Sequence, residues 1–241
     1  MPKFKKSNLP RENRLLAALP DAEYQRLVAD LEFVELSLKK VLHNSGEPIT
    51  HVYFPHHAIV SLVYTLEDGS TSEVGLVGKE GMVGLPIILG SETTTTNSIV
   101  QVADGAMRMK ASQFKAEFDR GGPLQSLLLR YTQGLFTQIT QTAACNSHHA
   151  IEERFARWLL MVSDRMESDT FSLTQEFIAE MLGVRRSGVT VAAGTLSQAG
   201  MIRYSRGEIK IQNRESLEAT SCECYSVVKN EFNRLLSIAC G

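Results

Sequence analysis

The stretch Ser172–Ile211, SLTQEFIAEMLGVRRSGVTVAAGTLSQAGMIRYSRGEIKI, sets the reading of the whole chain. Ser172 or Thr174 can cap a helix through Phe177, Ile178, Ala179 and Leu182, because a hydroxyl there satisfies an otherwise orphaned amide. Gly183 ends it, since the residue after a helix favours a left-handed conformation that glycine adopts freely. Arg186 to Gln198 can form a second helix with Val189, Ala193 and Leu196 inward. Ala179 and Gly183 are small enough to let the two helices cross closely. Two short helices around a tight glycine turn are the signature of a helix-turn-helix. Beyond Gly200, Ile202-Arg203-Tyr204 and Ile209-Lys210-Ile211 flank Arg206-Gly207 and read as a short hairpin, or wing.

Charge supports a polyanion partner, but only locally. The chain has 241 residues, 25 Lys+Arg against 27 Asp+Glu, and a formal net charge of −2. That balance excludes a polycation that coats DNA indiscriminately. From Gly183 to Lys210, however, Arg185, Arg186, Arg203, Arg206 and Lys210 face only Glu208. Clustered cations fix a protein's register on phosphates and make binding steeply salt-dependent. Arginines at the start of the second helix suit major-groove reading, because a guanidinium pairs with both acceptors of guanine. The competing reading is a helical hairpin with a solvated basic face; the wing and the clustering weigh against it.

Upstream, the chain changes character twice. Residues 8–31 carry two short amphipathic helices, with Leu15, Leu16 and Leu19 in the first. Asp21 is the expected N-cap of the second, with Tyr24, Leu27, Val28 and Leu31. From about 33 to 112 the signal is β. Ile59–Tyr64 runs into Asp68-Gly69, a type I′ hairpin signal, and Val74, Leu76 and Val77 return. Further strands fit Ser98–Val102 and Met107–Lys110, with Asp104-Gly105 as a second turn. Without room for helices between them, these strands predict an antiparallel sandwich or barrel. After 112 the chain is helical. Leu124, Leu128, Tyr131, Leu135, Gln138, Thr142 and Cys145 recur at spacings of four and three, which fits either a buried helix face or a seam against a partner helix. Residues 148–166 form a further helix with Ile151, Phe155, Trp158, Leu159 and Val162 on one face.

The layout resembles the Crp/Fnr family of bacterial transcription regulators over most of the chain. The most specific match is Leu173–Thr190 followed by Leu196-Ser-Gln-Ala-Gly-Met-Ile. Phe54-Pro55, Val74-Gly-Leu-Val-Gly and Gly81-Met-Val-Gly-Leu echo the family's β-roll. The resemblance implies an α+β fold: an N-terminal antiparallel, jelly-roll-like β-roll, a long central dimerisation helix and a C-terminal winged helix-turn-helix. The expected divisions are 1–118 for a cyclic-nucleotide-binding-like sensor, 119–147 for the dimerisation helix, 148–220 for the DNA-binding domain and 221–241 for a helical tail. By the same resemblance, Thr174 and Gln175 contact phosphate and Arg186 reads a base. Arg185, Ser187 and Thr190 share the helix entry, and Arg203 and Arg206 extend the surface onto the wing. Ser187 and Val191 stand where many members carry Glu and Arg, so the operator cannot be borrowed. Leu124, Leu128, Tyr131, Leu135, Gln138 and Thr142 form the expected homodimer seam.

The effector pocket expected from the family falls on Gly81, Met82, Gly84, Leu85, Thr95 and Thr96. Cyclic-nucleotide-binding relatives use a Glu for the ribose and an Arg for the cyclic phosphate. Here Met82 replaces the acid, and no Arg lies between Lys79 and Arg108. A buried phosphodiester without a cation is costly to desolvate, so neither cyclic AMP nor cyclic GMP is expected to bind, and no cofactor is expected. Iron–sulfur members carry N-terminal cysteines, whereas the first cysteine here is Cys145. Cys222, Cys224 and Cys240 read as inert thiols, with a redox bridge to Cys240 as the alternative. His51, His56 and His57 read as turn histidines and His148-His149 as a solvated junction opening a helix; no metal site is expected. No catalytic motif stands out, so an enzyme is not expected. The expected partners are double-stranded DNA, a second copy of the chain and RNA polymerase, in a cytoplasmic setting without a membrane span. A ligand-binding or protein-interaction module is the alternative; it would show little duplex affinity at physiological salt.

Overall fold

A computed structural model describes residues 9–237. They divide into two compact units, one of residues 9–62, 76–136 and 232–237, the other of residues 63–75 and 137–231. The sequence-based divisions are cut differently, because the tip of a hairpin and the end of the long helix fold with the C-terminal unit.

The first unit opens with a 3-10 turn at Leu9–Glu12, then α1 (Arg14–Ala17) and α2 (Asp21–Val28). Asn13 is fully buried and anchors this start. Its Oδ1 accepts from the Leu15 and Leu16 amides, while its Nδ2 donates to the Pro55 and Gly81 carbonyls at 3.0 and 2.9 Å. Pro20, not Asp21, is the N-cap of α2; Asp21 sits in its first turn and pairs with Arg11.

Seven strands follow: β1 (Glu32–Leu36), β2 (Val41–His43), β3 (His51–Pro55), β4 (Ile59–Thr65), β5 (Thr71–Val77), β6 (Asn97–Val102) and β7 (Asp104–Lys110). They form two sheets, ordered β1-β7-β3 and β2-β6-β4-β5. Leu36, Tyr53, Val60, Val77, Val100 and Ala106, drawn from both sheets, make one buried cluster. This is the expected antiparallel sandwich, with antiparallel pairing at β1–β7, β3–β7 and β2–β6.

Two turn readings need correction. Asp68-Gly69 is not a two-residue type I′ turn, for only Gly69 has positive φ, 82°. The loop spans 66–70, closed by Leu66 N–H to Ser70 O at 2.8 Å, and Asp68 acts by accepting the Ser70 amide at 2.9 Å. Asp104-Gly105 lies inside β7, where Gly105 pairs with Glu35. A Cβ there would stand 2.4 Å from the Phe33 ring, so the glycine serves close packing. Next come α3 (Ala111–Asp119) and α4 (Pro123–His148). Gly121 and Gly122, at φ 80° and 81°, separate them, so the long helix starts later than 119.

The second unit contains the end of α4, then α5 (Ile151–Met166), β8 (Thr170–Ser172), α6 (Gln175–Leu182), α7 (Arg186–Gln198), β9 (Ile202–Ser205), β10 (Glu208–Ile211), α8 (Arg214–Thr220) and most of α9 (Cys224–Leu236). His148 closes α4 and does not open a helix; α5 begins at Ile151. Phe155, Trp158, Leu159, Ile178, Val189, Leu196, Ile209 and Leu217 are all buried and form the unit's interior. The three-stranded sheet β8-β10-β9 completes it. The tip of the β4–β5 hairpin belongs here: Trp158 Nε1 donates to Glu73 Oε1 at 3.0 Å, and Ser72 lies against Gly183. No helix among the described residues is long and apolar enough to cross a membrane.

Candidate nucleic-acid interface

Helices α6 and α7 are built as the sequence dictates. Thr174 is the N-cap of α6, its Oγ1 accepting the Phe177 amide at 3.2 Å. Gly183 ends the helix at φ 62°. From α5, the buried Arg154 guanidinium donates to the Leu182 carbonyl, satisfying one of the acceptors a helix end leaves orphaned. Helix α7 turns Val189, Ala192, Ala193 and Leu196 inward. Its outer side carries Arg186, Ser187, Thr190 and Val191, all exposed.

The wing is a hairpin with a two-residue turn, since Ser205 pairs with Glu208. Arg206 and Gly207 both have positive φ, 53° and 79°, as a type I′ turn demands. A left-handed arginine is uncommon; here it places a cation at the wing tip. Arg203 and Lys210, partners across the hairpin, are also exposed.

Thr174, Gln175, Arg186 and Arg206 line one open cleft of about 390 Å³ between α6, α7 and the wing. Arg185, Ser187, Thr190 and Arg203 are exposed but do not line it. Glu176 and Tyr204, which the sequence did not single out, also shape the site. Glu176 Oε1 lies 2.6 Å from Arg186 Nη1, so the arginine is held across the cleft. Thr190 Oγ1 stands 2.9 Å from Gln175 Oε1 and 3.1 Å from the Arg186 carbonyl, tying the two helices together. Tyr204 OH donates to the Leu173 carbonyl at 2.9 Å and seats the wing against the entry to α6. Val191, at 64% exposure, is an apolar group on the outer face of α7.

Residues 153–220 match the model of the Crp-like helix-turn-helix domain. Over 80% of its length the chain is similar in structure to FixK2 from Bradyrhizobium japonicum, of which 98% is covered, with a TM-score of 0.69 and 17% identity. A Crp/Fnr-family transcriptional regulator from Eubacterium rectale gives 0.68 at 17% identity, covering 86% and 96%. TTHA1359, a Crp/Fnr-family regulator from Thermus thermophilus, gives 0.63 at 18%, covering 79% and 98%. This is the Crp/Fnr fold. No curated protein sequence matches the chain significantly.

Within this Crp/Fnr fold, the expected effector residues are mostly packing. Gly81, Met82, Gly84 and Leu85 are buried. Tyr131 OH donates to the Met82 carbonyl at 3.2 Å, and a Cβ on Gly81 would meet that hydroxyl at 2.4 Å. Gly84 has φ 102°. Thr95 is exposed, its carbonyl accepting from Ser45 Oγ at 3.1 Å, and the Thr96 amide is used by Thr94 Oγ1 at 3.2 Å. A larger hollow of about 600 Å³ lies elsewhere on the roll, bordered by Phe33, Glu35, His56, His57 and Asp104.

The expected seam residues face inward. Leu124, Leu128, Tyr131, Leu135, Gln138 and Thr142 are all buried within a single chain. Gln138 accepts from Arg165 at 2.9 Å, and Thr142 from Arg157 at 3.2 Å. The periodicity marks the inward face of α4. Its outward face carries Leu129 and Phe136, 52% and 61% exposed, and continues through Ser126, Gln133, Thr140 and Ala143.

The described cysteines, Cys145, Cys222 and Cys224, are free and buried. Cys240 lies outside the described residues, and so does the bridge to it.

Proposed function

We propose that this protein is a homodimeric regulator of transcription that reads a near-palindromic duplex site with α7. The observation that carries the reading is the convergence of Arg186, Arg206, Thr174 and Gln175 on one cleft, with Arg185 and Arg203 exposed beside it. The first amides of α6 and the Thr174 hydroxyl suit a phosphate, the wing cations suit the neighbouring backbone, and Arg186 suits a guanine edge. The second copy is proposed to dock on the outward face of α4, where Ser126, Leu129, Gln133, Phe136, Thr140 and Ala143 repeat at three and four. Two such copies present recognition helices to half-sites about 34–36 Å apart. Regulation would act at promoters, through contact with RNA polymerase.

The roll is proposed not to take cyclic AMP or cyclic GMP in the family's usual way. Supporting this, Met82 is 1% exposed and fills the place of the ribose-binding acid, and Arg108, the first arginine after Lys79, pairs with Glu32 at 2.6 Å. Isothermal titration should give no heat of binding with cyclic AMP at micromolar concentration; saturation there would refute the assignment. Selection of genomic DNA by the purified protein tests the central claim. Enrichment of a two-fold symmetric site is expected, and failure to enrich any sequence would overturn it.

A further inference from the structure

Among the described residues, three thiols and one imidazole far apart in sequence come together inside the C-terminal unit. Cys145 lies on the last turns of α4, and His149 follows four residues later, on the same side. The backbone bond from the His149 amide to the Cys145 carbonyl, 3.1 Å, keeps that turn helical. Cys222 and Cys224 sit where α8 hands over to α9, with Cys224 the first residue of α9. Cys145, Cys222 and Cys224 are 0%, 5% and 2% exposed. The three Sγ atoms and a ring nitrogen of His149 all lie within 4.8 Å of one another.

The spacing fits one tetrahedral ion. Bond lengths of about 2.3 Å to sulfur and about 2.0–2.1 Å to nitrogen give ligand-to-ligand edges of about 3.5–3.8 Å. Cys145 Sγ to Cys222 Sγ is 3.5 Å, and Cys224 Sγ to His149 Nδ1 is 3.6 Å. The sulfur pair is far too long for a disulfide, whose bond is about 2.05 Å. A cluster of several irons needs its ligands spread wider than this group.

Two further observations point to an ion. His149 Nε2, the ring nitrogen turned away from Cys224, lies 3.3 Å from Glu223 Oε2. A carboxylate behind a histidine is the usual outer support of a metal ligand: it fixes the tautomer and leaves Nδ1 as the donor. Arg157 is buried beside the group, its charge acting on all three cysteines, and its Nε and Nη1 have no hydrogen-bond partner among the described residues. Three thiolates, a neutral imidazole and a divalent ion sum to one negative charge, the complement a buried guanidinium requires.

We propose that Cys145, His149, Cys222 and Cys224 form a structural Zn2+ site. Three soft sulfurs and an imidazole in a compact tetrahedron select zinc. With four protein ligands the site is closed, leaving no position for a substrate. Binding displaces the thiol protons to solvent, and the metal keeps its charge throughout. The ion staples the end of α4 to the α8–α9 junction.

Full-length protein, purified without chelator, should carry one zinc per chain by plasma mass spectrometry. Cobalt(II) exchanged into the site should give the intense visible bands of tetrahedral coordination and thiolate charge transfer. Cys222→Ser should abolish both. Should that variant fail to fold, Glu223→Gln keeps every ligand and should weaken zinc binding about 10–100-fold in chelator competition. Cys240→Ser should leave the metal content unchanged. The proposal is overturned by folded protein that holds no zinc and takes up no cobalt, by a Cys145–Cys222 disulfide in the native protein, or by iron with inorganic sulfide.

Discussion

Arg186 is already engaged before any DNA arrives. Its partner Glu176 holds the guanidinium at 2.6 Å, yet both side chains are more than half exposed, so the pair is weak and can be exchanged for a guanine edge. Arg186→Ala is expected to weaken specific binding by about 1–3 kcal/mol and to relax one base position. Gel-shift titrations against a panel of single-base variants would show it, and undiminished operator affinity would remove α7 from the reading role. Arg206→Ala should instead weaken all duplexes alike and lower the salt slope by about 1. Neither Glu176 nor the wing's dependence on Tyr204 was legible in the sequence. Each acts through a pairing between residues of different elements, and only the folded unit brings those together. The cap at Thr174 and the stop at Gly183 were legible, because both are satisfied within a few residues of chain.

At the level of elements, the buried histidines of β2 and of the bend after β3 set a pH response. His56 is 2% exposed, and burial lowers its pKa below the ordinary imidazole value. Burial lowers His43 likewise, with its Nε2 2.8 Å from the His51 carbonyl. Both therefore resist protonation in the folded roll more than in the unfolded chain. As pH falls below about 6.5 the unfolded chain takes up protons that the folded roll refuses, so stability declines until the lowered folded values are reached. Thermal melts between pH 7.5 and 5 should show a falling Tm, and His56→Gln should flatten that slope. If the variant keeps the full wild-type slope, His56 has no part in it. The β-region as a whole was readable from β-branched runs, but β1, β2 and β3 were not. They are short, and none alternates: β1 and β2 are mostly open to solvent, whereas β3 is buried almost throughout. The cysteine–histidine group was equally hidden, since Cys145 and Cys222 stand 77 residues apart.

For the whole molecule, α4 has one face covered by its own chain and one exposed face proposed as the seam, and periodicity could not separate them. A four-and-three repeat runs along both faces, and spacing alone gives no sign of which one its own chain covers. Leu128→Ala should cost about 2–5 kcal/mol of stability and leave the protein dimeric. Phe136→Glu should leave the melting temperature of the monomer largely intact while weakening the dimer by about 2–4 kcal/mol, as loss of an aromatic anchor does. Light scattering after gel filtration separates the two. A dimeric Phe136→Glu protein would mean that the outward face of α4 is not the seam.

The β4–β5 hairpin begins in the roll's sheet, and its tip belongs to the C-terminal unit, on Trp158 and Gly183. Because side chains alternate along a strand, the unit of change at that tip is a whole residue step. One residue added between 66 and 70 and carried into β5 would swing Glu73 off the indole and put Ser72 in its place. Inserting two would restore the facing. The loop's tolerance for length should therefore alternate between odd and even, a ratchet written into a turn.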